Sequence, residues 1–546
     1  MAQSNTKYHL KSYESCFNAE FNAKVEKLLD TWHVPGLAIG LVQGSSTSFK
    51  AYGFAELPDT AVTPETVFFT ASTTKAFTAA SVSLLVDNEE LYFSSKHCPS
   101  PLSWQTTLSS ILGDDFALDN DEVTSRITLE DALSNRTGLP DHKFSFGPKS
   151  SSVRDAVRSL RHLPRAAELR TRYLYSSYMF STVSHAVETI TAMSLGDFMK
   201  QRLWRPLGMA QTYWTPAEAI EAKASGTVLA RGYAWDASKE SFVKQPIPDF
   251  PAVSGAGAII SNVVDYTKWL QCMIAQSLPL SPVAHTTLTI PRISFSTSGN
   301  NPFLPPHSYA LGWFIDNYRG QRIVWHSGGW TGFGTTMMFL PDHQWGLVMM
   351  GNTTGTSNCV QIALFMEMLD NLFGTPEDER IDWNLQLQER LLQRRYNNDR
   401  AAEFLYPSIS YPTSPPLLPY QAYSGHYIHA AYGNLDLECQ RETLFASRLT
   451  QEIPMVIRMI HLSEELWLAT LMVLNEDPRD HLVIRASFKL SANSEVAQVG
   501  LDLEPALNGN LIWFTRKIGD TVLDTRIKSA QFSRLQRPLC TSEFPM

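Results

Sequence analysis

The chain has 546 residues, which at about 150 per domain suggests some three folding units and leaves room for two. Its 45 basic and 54 acidic side chains give a net charge of -9 without any Lys/Arg cluster, so nucleic acid is not an expected partner. With 44% apolar and 18% charged residues the chain is not wholly disordered, and no apolar run approaches the roughly 20 residues of a membrane-spanning helix.

Met1 to Ser15 is polar and lacks the hydrophobic centre of a secretion signal, so a cytoplasmic location is expected. A helix is predicted from about Phe21 to Trp32, stopped by Val34-Pro35-Gly36. Leu37 to Gln43 is a continuous apolar strand, Gly44-Ser45-Ser46 its turn, and Ser48 to Phe54 the returning strand. Helical spacing dominates from about Thr66 to Trp269, broken by loops such as Thr137-Gly138-Leu139-Pro140. Four short strands follow at Tyr309–Ile315, Gln321–His326, Phe333–Leu340 and Trp345–Gly351, and a helix over Val360–Phe373 closes the unit. Strands at both ends with helices between them predict an α+β fold. Its antiparallel sheet pairs the first strands with the last, is flanked by helices, and carries an inserted helical region.

Residues 376–403 are charged and helix-prone, and Pro407, Pro412, Pro415, Pro416 and Pro419 mark a stiff linker. Beyond Tyr420 the pattern changes to short alternating strands, such as Tyr432–Glu438, Leu466–Val473, His481–Phe488 and Leu511–Arg516. These predict a separate small β barrel or sandwich. The expected division is a segment 1–19, a domain 20–403, a linker 404–420 and a β-rich domain 421–546.

Six cysteines (Cys16, Cys98, Cys272, Cys359, Cys439, Cys540) lie far apart, with no C-x-x-C and no His at ligand spacing. Free thiols are expected, with no metal and no cofactor. A G-x-S-x-G elbow, H-E-x-x-H, a Walker loop and a dinucleotide glycine motif are all missing, which counts against an α/β-hydrolase, a zincin and a nucleotide enzyme. Ser-x-x-Lys occurs three times, starting at Ser4, Ser72 and Ser241. Ser4 lies near the terminus and Ser241 in a polar stretch; Ser72 sits where a buried helix begins, with Ala76, Ala80 and Leu84 on one face. Residues three apart on a helix share a face, so Lys75 can reach the Ser72 hydroxyl, and the helix N-terminus offers backbone N–H groups to an oxyanion. Read alone, Ser72 is more simply an N-cap and Lys75 a surface cation.

Two later segments change this: Tyr175-Ser176-Ser177 ahead of an amphipathic helix, and Trp325-His326-Ser327-Gly328-Gly329 ending a strand. In this order the three segments resemble the penicillin-binding protein and class C β-lactamase superfamily, with its S-x-x-K, Y-x-N/S and K-T-G or H-x-G motifs. That superfamily also holds D-aminopeptidases, carboxylesterases and lovastatin-type acyltransferases. Connectors match as well, at Leu133-Ser134-Asn135-Arg136-Thr137-Gly138-Leu139-Pro140, Arg205-Pro206-Leu207-Gly208-Met209 and Gly255-Ala256-Gly257-Ala258-Ile259-Ile260-Ser261. The resemblance spans about residues 20–375. The tail, opening at Tyr423-Ser424-Gly425-His426-Tyr427, resembles the small lipocalin-like barrel that follows such domains in some members.

The resemblance implies that Ser72 attacks an acyl carbonyl and holds the acyl group as an ester. Lys75 and Tyr175 would move the protons, either of them taking the first, and the Ser72 and Gly329 amides would bind the oxyanion. His326, Gly328, Ser177 and Trp330 would contact substrate, with Trp330 and Phe333 lining an apolar acyl pocket. His326 replaces the Lys of β-lactamases and supplies little charge at neutral pH; Ser177 replaces the usual Asn. Both departures lead away from β-lactam chemistry toward ester or thioester hydrolysis, with acyl transfer to an alcohol or amine as the rival. Analogy extends this to polyketide-like secondary metabolism and to an acyl carrier domain or CoA thioester as donor partner. A D-aminopeptidase-like activity and a non-catalytic scaffold stay open.

Overall fold

The computed structural model describes residues 17–91, 101–296, 301–409 and 412–517, apart from 475 and 477. Among these residues nine strands form one antiparallel sheet: β1 (Gly36–Gln43), β2 (Ser46–Glu56), β3 (Thr60–Ala61), β4 (Ile293–Phe295), β5 (His307–Tyr309), β6 (Phe314–Tyr318), β7 (Gln321–Trp330), β8 (Phe333–Leu340) and β9 (Trp345–Gly351). Their order is β3-β2-β1-β9-β8-β7-β6-β5-β4. The first strand thus pairs with the last, Leu37 opposite Gly351, as the sequence pattern predicts.

The unbroken apolar run of β1 follows from its central place. Leu37, Ile39 and Leu41 face one core with helices α1 (Ala19–Thr31) and α5 (Thr356–Phe373), while Ala38 and Val42 face the other. A strand covered on both faces has no reason to alternate. The second core holds the inserted helices α2 (Thr74–Asp87), α3 (Ser177–Thr191) and α4 (Val263–Ala275). Helix α2 is buried nearly all round, and its small residues Ala76, Ala79, Ala80, Ser81 and Ser83 let its neighbours approach closely. The α+β class predicted from sequence is the fold observed.

One expected strand is really two. Tyr309–Ile315 breaks at a tight turn, with the Ala310 N–H donating to the Trp313 carbonyl at 2.8 Å. Gly312 there has φ +76°, and a β-carbon on it would lie 2.6 Å from the Lys75 carbonyl oxygen, so a buried turn replaces a continuous strand. Conversely β7 runs on past His326 to Trp330, so the third motif lies within a strand.

Past helix α6 (Trp383–Asp399), eight antiparallel strands among the described residues close into a barrel: Gly425–His429, Gly433–Gln440, Thr443–Arg448, Met455–Ser463, Leu466–Val473, Leu482–Leu490, Val496–Leu501 and Ile512–Arg516. Only four of these show alternation clear enough to predict. The proline-rich segment lies against the barrel, the Tyr406 hydroxyl donating to the Trp467 carbonyl at 2.9 Å and the Ser414 N–H to Ser463 Oγ at 3.1 Å.

The barrel is fastened to the loop 142–149 of the larger domain. His142 is buried; its Nε2 lies 2.9 Å from the Pro164 carbonyl, so it donates there, and its Nδ1 accepts from the Tyr432 hydroxyl at 2.7 Å. The His142 N–H donates to Glu504 (2.8 Å) and Arg448 to the Phe144 carbonyl (2.9 Å). Tyr432→Phe strands the His142 Nδ1 acceptor inside this seam. It should lower stability by about 1–3 kcal/mol in chemical denaturation; an unchanged midpoint would mean the bond contributes nothing.

Candidate active site

Strand Phe68–Phe69 runs into a single 3₁₀ turn, Ala71–Thr73, and α2 continues from it. Ala71 has φ +48°, a left-handed conformation that costs a non-glycine residue on the order of 1–3 kcal/mol. The hydroxyls of Thr73 and Thr74 fold back onto the Thr70 and Ala71 carbonyls at 3.0 and 2.8 Å. Ser72 is not used as a cap. Its Oγ lies 3.2 Å from Lys75 Nζ and accepts from the Tyr175 hydroxyl at 2.7 Å. The structure therefore brings Ser72, Lys75 and Tyr175 into one hydrogen-bonded cluster.

Lys75 is completely buried. Its Nζ also donates to the Ala256 carbonyl at 3.0 Å and lies 4.6 Å from the centre of the Tyr175 ring. Burial pulls its pKa down to about 7, against the opposing pull of Asp141. Burial pushes the Tyr175 phenol well up, and Asp141 adds to that, while the bond to Ser72 acts the other way. Burial thus disfavours both charged forms. At neutral pH the amine is therefore uncharged in about half of the molecules, beside a phenol that keeps its proton.

The connector segments hold these groups in place. Asn135 Oδ1 accepts from the Ser176 N–H at 3.0 Å, and the Leu174 N–H donates to the Asn135 carbonyl at 2.8 Å, so Tyr175 is gripped from both sides. Gly255 lies so close to α3 that a β-carbon there would come 2.6 Å from the Phe180 carbonyl oxygen. Thr78 donates to the Gly255 carbonyl at 2.7 Å, locking this segment onto α2 beside Lys75.

The third motif runs alongside. Strand β6 pairs with β7 only as far as Phe314 opposite Trp325, so residues 326–330 pass the Ser72 turn without β6 beside them. A β-carbon on Gly328 would lie 2.2 Å from the Thr70 carbonyl oxygen and 3.1 Å from the Ser72 nitrogen, so only glycine permits this approach. Gly329 is exposed one residue further on. His326 is buried, with Nδ1 donating to the Ser327 carbonyl (2.6 Å) and Nε2 accepting from the Tyr309 hydroxyl (3.1 Å). Burial and the nearby Lys75 hold its pKa at about 3, so it brings no charge to the cleft.

Ser177 is buried, and its N–H donates to Asp141 Oδ1 at 2.7 Å. Trp330 is half-buried with its ring centre 4.4 Å from that of Phe250 and 6.3 Å from that of Phe146. Phe333 is buried, with its ring centre 6.2 Å from that of Phe69. Ser241 begins an exposed hairpin strand and its Lys244 pairs with Glu56, away from this cluster; Ser4 lies outside the described residues. Of the cysteines, Cys272, Cys359 and Cys439 are free, and Cys16, Cys98 and Cys540 lie outside them.

Sequence reasoning missed Asp141. It is the carboxylate that acts on both Lys75 and Tyr175, and it caps the N-terminus of α3, where negative charge is favoured. The only signal for it is its position directly after the Leu139-Pro140 connector.

Sheet, motifs and barrel together define a serine hydrolase fold of the β-lactamase and penicillin-binding protein type. The chain belongs to the β-lactamase family, whose family model matches residues 21–364. A model for a domain of unknown function, DUF3471, matches 411–516, the barrel region. The chain is 38% identical over 509 residues, 92% of each protein, to a protein named Unguisins hydrolase ungD' from Aspergillus campestris. With Unguisins hydrolase ungD from Aspergillus violaceofuscus it shares 34% over 528 residues, 92% of this chain and 91% of the relative. The fold matches the octameric penicillin-binding protein homologue from Pyrococcus abyssi (TM-score 0.58, 17% identity, 91% of this chain and 99% of that one). It also matches the D-amino acid amidase from Ochrobactrum anthropi SV3 (TM-score 0.53, 19% identity, 65% and 99%). No described helix is long and apolar enough to cross a membrane.

Asp141 raises the Lys75 pKa, so Asp141→Asn should lower it further. The midpoint of Ser72 labelling by a fluorophosphonate, read against pH, should then move to lower pH than in wild type. A midpoint that stays put, or moves up, contradicts the placement of that carboxylate.

Proposed function

We propose that the chain hydrolyses an acyl bond of an unguisin, or of a secondary metabolite of the same class, through an ester on Ser72. The observation that carries this is the cluster of Ser72, Lys75 and Tyr175 around one oxygen, with the amine buried and its pKa brought down to about 7. The two relatives named as unguisins hydrolases, each aligned over 92% of this chain, support the substrate class and water as acceptor.

In its neutral form the Lys75 amine takes the Ser72 proton as Oγ attacks the carbonyl carbon. The carbonyl oxygen becomes an oxyanion between the Ser72 and Gly329 N–H groups, and loss of one such donor costs about 3–4 kcal/mol of transition-state stabilisation. The bond to the leaving group breaks as that group takes the Tyr175 hydroxyl proton, which the Lys75 ammonium then replaces. Water enters and gives a proton back through the same pair, its oxygen attacks the ester, and Ser72 leaves as the free hydroxyl. A phenol that keeps its proton serves an amine leaving group as well as an alcohol, so the expected ester or thioester donors widen to include amides.

Ser72→Ala should abolish turnover of a purified unguisin, and wild type in H₂¹⁸O should place the label in one product carboxyl. Turnover that survives Ser72→Ala overturns the reading. Transfer of the acyl group to an added alcohol in preference to water would make the protein an acyltransferase. Turnover should also fall as pH drops through about 7, where Lys75 becomes protonated; a flat profile from pH 5 to 8 contradicts Lys75 as base.

A further inference from the structure

The barrel reaches the neighbourhood of the nucleophile. Its segment Leu449–Pro454 is tied to the loop that follows Phe146: the Lys149 N–H donates to the Thr450 carbonyl at 3.3 Å, the Glu452 N–H to the Gly147 carbonyl at 3.2 Å, and Pro148 bridges to Gln451. Between this segment and the larger domain lies a cavity of about 210 Å³, walled by Phe250, Trp330, Pro246, Leu449 and Pro454. Trp330, which directly follows Gly329 on β7, is the wall residue that links this cavity in sequence to the segment beside Ser72.

The one buried polar side chain in this wall is Glu452, only 3% exposed. Neither of its carboxyl oxygens makes a hydrogen bond of ordinary geometry; the Ala252 N–H, in the short 3₁₀ turn Pro251–Val253, acts on the group. An unsatisfied carboxyl in an apolar wall costs stability unless something else meets it. Exposed Lys149 and Asp249 also line the cavity and act on the group in opposite senses.

Resting on the Ser72 reading, we propose that the barrel completes a substrate subsite. The Phe250–Trp330 pair holds a bulky apolar side chain of the acyl substrate, and the Glu452 carboxyl hydrogen-bonds the amide next to it. The chemistry suits an amide. Burial holds the Glu452 pKa at about 8, so at neutral pH the group is mainly the uncharged acid, with one O–H donor and one carbonyl acceptor. The volume suits one aromatic or branched side chain, and an aromatic wall favours another ring stacked or edge-on. The tail barrel is thereby a selector of substrates as well as a support.

The test compares two activated esters, p-nitrophenyl acetate and N-acetyl-phenylalanine p-nitrophenyl ester, through the ratio of their kcat/KM values. Glu452→Ala should lower the ratio (bulky over small) about tenfold, the effect of one lost hydrogen bond of about 1.4 kcal/mol. Glu452→Gln, which keeps a donor and an acceptor, should hold the ratio within about twofold of wild type. Should Glu452→Ala fail to fold, Leu449→Trp fills the cavity from the other side and should lower the same ratio. Ratios that stay at the wild-type value in Glu452→Ala and Leu449→Trp overturn the subsite alone, including the case where both esters lose rate equally. A wild type inert to both esters overturns the hydrolase reading and the subsite with it.

Discussion

A lysine amine shut away from water is what the rest of the site depends on. In the proposed mechanism an ammonium with normal solvation would leave Ser72 without a base at neutral pH, since free lysine titrates near 10.4. Lys75 escapes that because α2 is enclosed nearly all round by its neighbours and not laid on the surface by one face. The enclosure needs close backbone approaches, which explains the glycines around it. Gly255 nests against α3, Gly312 against the Lys75 carbonyl, and Gly328 against the Ser72 turn. Each excludes a side chain where even one methyl group would force the walls apart.

The sheet supplies the other half of the geometry. By pairing its first strand with its last it fixes β7 through β8 and β9 to a strand covered on both faces. Strand β7 then outruns β6, so its final residues lie beside Ser72, paired with β8 alone. The Tyr175 segment is placed separately, by Asn135 from one loop and by Asp141 at the start of α3. That loop continues into the segment 142–149, which the barrel grips through Tyr432, Arg448 and Glu504. A chain of short connections therefore runs from the barrel to the residues around Ser72.

Much of this was legible in the sequence for identifiable reasons. The first and last strands were visible because a doubly covered strand reads as an unbroken apolar run, and Ser72, Lys75 and Tyr175 because their spacing travels with recognisable connectors. The turn at Gly312 was hidden because Ala310, Leu311 and Trp313 are as apolar as a strand, and the turn is decided by contact with α2 far away in sequence. Half of the barrel strands escaped because their outward faces carry partly buried apolar residues, as in Met455–Ser463, which blurs alternation. Glu452 gave no signal at all, and Asp141 only its place directly after the Leu139-Pro140 connector. A carboxylate's role depends on what folds around it, and here the partners lie on other loops and on another domain.

The most direct measurement is the ionisation of Lys75 itself. In protein labelled with ¹³C-lysine, the Cε resonance missing from Lys75→Arg can be followed by NMR from pH 5 to 11. The account predicts a midpoint close to 7. A midpoint near that of the free amine, about 10.4, would mean that the amine is solvated and charged, and the description of this site as a neutral base beside a serine would be wrong.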